Sequence, residues 1–225
     1  MHPLERPVWA SLTTYHAPLS EGDELARRFV PDVNLFAATV DDSPAALAAL
    51  AKLVGSRETI FLAQVAEIVV PPRFELLKMV KGVQMVVRRD MSVETPREDI
   101  HVLTEEDAPE MLALARLTEP GPFLTRTHLM GTFRGIRIDG RLAAMAGERM
   151  RFPGYTEVSG VCTHPDFRGR GLARRLSAAV TACIEARGEQ AFLHAWKSNH
   201  VAISLYEGLG FELRTEVNVA VLKSS

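Results

Sequence analysis

The chain has 225 residues, 47% of them hydrophobic and 24% charged, with 26 basic against 28 acidic side chains and a formal net charge of -2. That length buries a sizeable core as one large domain or two small ones, and the composition excludes a disordered or fibrous class. The near balance of charge excludes an overall field that would draw the chain to nucleic acid or an anionic membrane, so any anion site has to be local. Residues 1–20 are interrupted by Pro3, Arg6, Pro7, His16 and Pro18 and lack the apolar core of a signal peptide. The longest later apolar runs are cut by Pro71, Pro72 and Lys78, so a cytoplasmic protein is expected. Cys162 and Cys183 stand far apart without a CxxC, and His101, His128, His164, His194 and His200 show no HxxxH or HExxH spacing. Neither a disulfide framework nor a metal site is expected.

In chain order, Val33–Val40 reads as a strand, and Ser43 with Pro44 gives an N-cap and first turn for a helix running to about Val54, closed by Gly55. Thr59–Val65 reads as a strand, Arg73–Val80 as a helix and Val83–Val87 as a strand. Thr95, Pro96 and Arg97 suggest a boundary at Glu94–Asp99, dividing the chain into residues 1–97 and 98–225. After it, Thr104 caps an amphipathic helix over Glu105–Leu117, broken by Pro120, Gly121 and Pro122, and Thr125–Met130 suggests a short second helix. Phe133–Ile138 and Arg141–Met150 flank Asp139-Gly140, whose residues tolerate the positive φ of a two-residue turn, and so form a β-hairpin.

A strand over Tyr155–Thr163 then leads through His164 and Pro165 into an Arg/Gly-rich turn and a helix from Gly171 to Arg187. A strand at Ala191–Trp196, a helix at Asn199–Gly208 and a final strand pair from Phe211 to Leu222 follow. The C-terminal part is therefore an α+β unit with a central mixed sheet flanked by helices.

The segment Phe167-Arg168-Gly169-Arg170-Gly171-Leu172-Ala173 carries the chemistry. Its glycines permit positive φ, so successive amide N–H groups converge at the positive end of a helix dipole, a geometry that cradles a pyrophosphate. Arg168, Arg170, Arg174 and Arg175 add local positive charge. A dinucleotide fingerprint fails because its third glycine would fall at Arg174, and a P-loop fails for want of a Gly-Lys-Ser/Thr ending. An Arg/Gly nucleic-acid contact or a chance turn stays open from the segment alone.

Arg-x-x-Gly-x-Ala at Arg168, Gly171 and Ala173 resembles the acetyl-CoA signature of the GNAT superfamily of N-acetyltransferases. Asn199, Ala202, Tyr206, Gly210 and Phe211 resemble that family's second motif, so the resemblance spans about residues 98–222. It implies that the fourth and fifth strands of the fold splay apart and take the pantetheine arm along Val161, Cys162 and Thr163. The pyrophosphate would lie on the amides of Arg168, Gly169, Arg170, Gly171, Leu172, Ala173 and Arg174, with Asn199 on the arm. The Val161 N–H would polarise the thioester carbonyl. Glu157, eleven residues before Arg168, holds the family's general-base position and is expected to have a raised pKa, with Glu148 as alternate; Tyr206 holds the general-acid position. On a regular strand Glu157, Ser159 and Val161 share one face.

Residues 33–88 echo half of such a module, but Asp41-Asp42-Ser43-Pro44 replaces the glycine turn, so residues 1–97 read as a degenerate, non-binding GNAT-like half. This order is similar to that of glycine N-acyltransferase-like proteins, whose catalytic module is also C-terminal. The resemblance implies acetyl transfer from acetyl-CoA to an amine of a small molecule or amino acid, without metal, nucleic acid or membrane and with an oligomer open. Alternatives are a protein N-acetyltransferase and a non-catalytic CoA-binding sensor.

Overall fold

Residues 2–88 and 99–225 are described by the structure, a computed structural model. The first part contains α1 (Pro7–Leu12), β1 (Ser20–Gly22), β2 (Ala26–Phe29), β3 (Ala37–Thr39), α2 (Pro44–Leu53), β4 (Thr59–Gln64) and β5 (Phe74–Val87). The second contains β6 (His101–Val102), α3 (Ala108–Thr118), β7 (Phe133–Ile138), β8 (Arg141–Phe152), β9 (Tyr155–Thr163), α4 (Leu172–Glu185), β10 (Gln190–Trp196), α5 (His200–Glu207) and β11 (Phe211–Ser224).

Short-range chemistry sets many of these ends. Ser43 Oγ accepts from the Ala46 N–H at 3.3 Å and Pro44 fills the first turn, which starts α2. Thr104 and Asp107 form a capping box ahead of α3. Asp139 at φ 51° and Gly140 at φ 77° make the turn between β7 and β8.

β1, β2 and β3 form a small sheet; the other eight strands form one sheet in the order β4-β11-β5-β10-β9-β8-β7-β6. Among its neighbours only β9 and β10 run parallel. α4 presents Leu172, Leu176, Val180 and Ile184 at helical intervals to one face of this sheet, against Met85, Val158 and Leu193. The opposite face, with Val86, Phe152 and Phe192, is covered by Val8 and Leu12 of α1 together with Phe29 and Phe36.

The sheet corrects several sequence expectations. Arg73–Val80, expected as a helix, is the first half of β5, because Phe74–Val87 pairs along nearly its whole length with β11 and that ladder overrides a helix-compatible local sequence. The strand–helix–strand–helix–strand order of residues 33–88 thereby loses its second helix. The expected final strand pair is one continuous strand, Phe211–Ser224, with a register shift between Leu213 and Thr215. The Val33–Val40 strand is confined to Ala37–Thr39, and Thr125–Met130 contains only a 3-10 turn at Thr127–Met130. α1, β1 and β2 carry no signal that the sequence reading used. The boundary residues Glu94–Arg97 lie outside the described residues; β5, from before that segment, sits between β10 and β11, from after it.

Candidate active site

β9 and β10 pair only at Tyr155–Glu157 with Gln190–Phe192, and beyond that point they diverge. The cause lies in β9. Between the pairs Met145–Cys162 and Gly147–Ser159 the strand carries one extra residue, a bulge with Gly160 at φ 63°. A Cβ at Gly160 would stand 2.9 Å from Phe133 Cε1, so the position requires glycine both for its dihedral and for space. The bulge resets the alternation: Val158 and Val161 both pack on the α4 side, which corrects the expectation that Glu157, Ser159 and Val161 share a face.

The divergence opens a cavity of about 250 Å³. Val158–Val161 of β9 form one wall, His194–Trp196 of β10 the other, and Asn199, Ala202 and Tyr206 line it from α5 and its cap. Cys162 and Thr163 continue β9 past the cavity wall. The Cys162 side chain is instead buried in a separate cluster with Met111 and Leu114, and burial pushes its thiol up to about 11. Thr163 Oγ1 is buried without a hydrogen-bond partner.

At the start of α4, Gly169 (φ 76°) and Gly171 (φ 70°) are both left-handed, and Gly171 is an N-cap with no side chain bonded to the helix amides. A Cβ at either glycine would meet no atom within 4 Å, so the space at this uncapped helix start is open. Arg168 and Arg170 belong to this turn, and Arg170 stacks on Phe167 at 5.4 Å. Two of the expected phosphate-binding guanidinium groups are engaged elsewhere: Arg174 Nη2 donates to the Gly208 carbonyl at 2.8 Å, and Arg175 pairs with Asp99.

Tyr206 is buried and lines the cavity, edge-on to Phe211. Burial and the Glu157 charge push its hydroxyl up to about 12, so it stays protonated at neutral pH. Asn199 accepts from the Ala202 N–H at 3.1 Å through Oδ1, which caps α5 while the residue also lines the cavity.

Glu157 departs from its expected role. It is fully buried, and Arg149 donates to it twice, Nε to Oε2 at 2.8 Å and Nη2 to Oε1 at 2.6 Å. His194 Nδ1 lies 2.7 Å from Oε1. Burial alone would raise its pKa, but the charge and hydrogen bonds of Arg149, with the hydrogen bond from His194, outweigh it and hold the carboxyl far below the ordinary glutamate value. The expected raised pKa is thus corrected, and a carboxylate so held is a poor proton acceptor. Glu148, the alternate, is buried and paired with Arg187 at 2.9 Å.

The network fixes His194 as well. Arg214 Nη1 donates to Gln84 Oε1 at 3.0 Å and Gln84 Nε2 donates to the Leu4 carbonyl at 2.9 Å, which orients the amide. Gln84 Nε2 therefore also faces His194 Nε2, at 3.1 Å, as a donor, leaving the His194 proton on Nδ1 toward Glu157. Arg149, Gln84, Phe36, Phe61 and Glu119 were not identified from the sequence. The Pro153-Gly154 turn was a usable signal for the first, because folding β8 back on β9 there brings positions 149 and 157 close together with opposite charge.

A mixed sheet opened between two parallel strands, the first of which leads into an uncapped helix start, makes up the candidate site. Residues 133–220 match the family model for FR47-like proteins. A solved structure assigned as a GNAT-family acetyltransferase from Novosphingobium aromaticivorans is 44% identical, with a TM-score of 0.93 over 100% of both chains. A GCN5-related N-acetyltransferase from Kribbella flavida, 18% identical, shares the fold with a TM-score of 0.66 over 100% of this chain and 96% of its own. No curated protein matches the sequence. The chain belongs to the GNAT family of acetyltransferases.

Proposed function

We propose that the protein transfers an acetyl group from acetyl-CoA to the amine of a small molecule or amino acid by direct attack. The observation that carries this reading is the β9–β10 gap, with the bulge at Gly160 in its wall, on the strand that leads into the uncapped start of α4. The amides from Gly169 to Arg174, with Arg168 and Arg170, would hold the pyrophosphate. Val161, at the bulge, would present its N–H to the thioester carbonyl and stabilise the oxyanion, and Asn199 would bond the pantetheine arm. The buried Thr163 hydroxyl is a further polar atom in want of a partner on the same strand.

Tyr206 would then give its proton to the leaving thiolate. Its raised pKa keeps that proton in place until a strong base develops beside it. Enclosure of the opposite side of the cavity by Phe36, Phe61 and the loop after α3 supports a small acceptor over an extended polypeptide. The likeness of the two-part chain order to glycine N-acyltransferase-like proteins, and residues 1–97 as a degenerate half, remain readings of the sequence. Among the described residues no helix is long and apolar enough to cross a membrane.

The test combines calorimetric titration with acetyl-CoA and detection of free thiol released in the presence of amines. Binding with amine-dependent thiol release supports transfer. Binding without release by any acceptor supports a CoA sensor instead.

A further inference from the structure

The acceptor side of the cavity has a wall composition and a charge balance that narrow the substrate. Phe61 on β4 and Val217 and Val219 on β11 line it, and all point to the same sheet face as Trp196, as their register through Gly82 requires. Phe36 closes it, with the Arg149 guanidinium over its ring at 5.1 Å. The loop after α3 is tied to the segment before Phe36: Arg126 N–H donates to the Asp32 carbonyl at 2.9 Å and Thr127 Oγ1 to the Val33 carbonyl at 2.6 Å. On this side the chamber wall is built of apolar side chains.

Four titratable side chains line it: Glu119, Arg149, His194 and Tyr206. Arg149 is already balanced by the buried Glu157, His194 is hydrogen-bonded at both nitrogens, and Tyr206 is neutral. Glu119 is different. It is exposed at the rim, and its side chain makes no ion pair or hydrogen bond among the described residues. Its backbone is left-handed at φ 49°, an uncommon conformation for glutamate, held by its N–H on the Ala115 carbonyl at 2.8 Å. Pro120 and Pro122 follow directly, limiting the ways the loop can move.

We infer that the acceptor is a monoamine on an apolar body, and that Glu119 receives its ammonium group and removes the proton; this rests on the acyl-transfer reading above. The body displaces water from Phe36, Phe61, Val217 and Val219, where a second charge would be desolvated without a partner. An α-carboxylate would add an anion to a chamber whose one guanidinium is already neutralised. In the reaction, one N–H proton passes to a Glu119 oxygen, the freed lone pair forms the C–N bond, the C–S bond breaks and sulfur takes the Tyr206 proton. The second proton lost from nitrogen as the amide forms restores Tyr206, and Glu119 releases its proton to solvent.

The experiment measures thiol release from acetyl-CoA by the full chain with 2-phenylethylamine, phenylalanine, spermidine and a lysine-containing peptide, alongside calorimetric titration of acetyl-CoA. We expect kcat/KM for 2-phenylethylamine to exceed the others by about tenfold or more. Glu119→Gln should lower it about 10²-fold and abolish the acidic limb of its pH profile, with acetyl-CoA affinity unchanged and partial recovery in Glu119→Asp. Preference for any of the other three acceptors, or a Glu119→Gln variant with wild-type kcat/KM and limb, overturns the inference. Acetyl-CoA binding without release by any amine overturns it and leaves the donor site standing. Failure to bind acetyl-CoA overturns both.

Discussion

Arg149 and Glu157 form a two-point ion pair across the β8–β9 hairpin, with the carboxylate fully buried and the guanidinium stacked on Phe36. The pair joins the hairpin to the first part of the chain, and it consumes the carboxylate that sequence position nominates as a base. Removing one partner of a buried pair strands the other charge, so Glu157→Gln should lower stability by about 3–5 kcal/mol at pH 7. Because the folded pKa is depressed, this contribution is present above the ordinary value of about 4.5 and is lost as pH falls through the folded value. Urea unfolding of wild type and variant should therefore show a gap that is constant from pH 7 to about 5 and narrows below it. A gap that does not change with pH would show that the carboxylate charge is not what stabilises the fold.

Gly171 starts α4 at φ 70°, with open space where a side chain would stand. Gly171→Glu places a carboxylate in that space and a strained backbone at the helix start, so acetyl-CoA affinity should fall below calorimetric detection. The cost to the fold should stay near 1–2 kcal/mol, as for other non-glycine left-handed residues. Unchanged affinity would remove the proposed pyrophosphate site.

Tyr206→Phe should lower kcat by about 10² to 10⁴ and leave acetyl-CoA affinity unchanged. Since the hydroxyl is pushed up to about 12, wild-type kcat should show no alkaline fall below pH 10 from loss of this proton. Normal turnover per folded molecule in the variant would assign Tyr206 to packing against Phe211 alone.

Gly160→Ala adds a methyl group 2.9 Å from Phe133 at a residue with φ 63°. The strand must shift there, and with it the Val161 amide. Activity should therefore fall by about tenfold or more even where the thermal midpoint drops by only a few degrees, since small displacements of a positioning group carry large rate penalties. Stability loss with unaltered kcat would place the bulge outside the chemistry.

Much of the local structure around the candidate site was legible because its signals are local. Positive-φ glycines at 169 and 171, the Asp139-Gly140 turn and the Ser43 cap depend on residues a few positions apart. Their physics acts before distant parts of the chain meet, and so they survive in the one-dimensional record. What the tertiary structure alone decided is long-range. Arg73–Val80 became a strand because β11, more than a hundred residues later, supplies hydrogen-bond partners along it. The polarity of Glu157 was set by Arg149 and His194 reaching it from neighbouring strands, and a charge in a buried site takes its pKa from what surrounds it. Phe36 and Phe61 line the cavity for the same reason: their burial depends on which sheet face the first part of the chain covers, and only the assembled sheet fixes that.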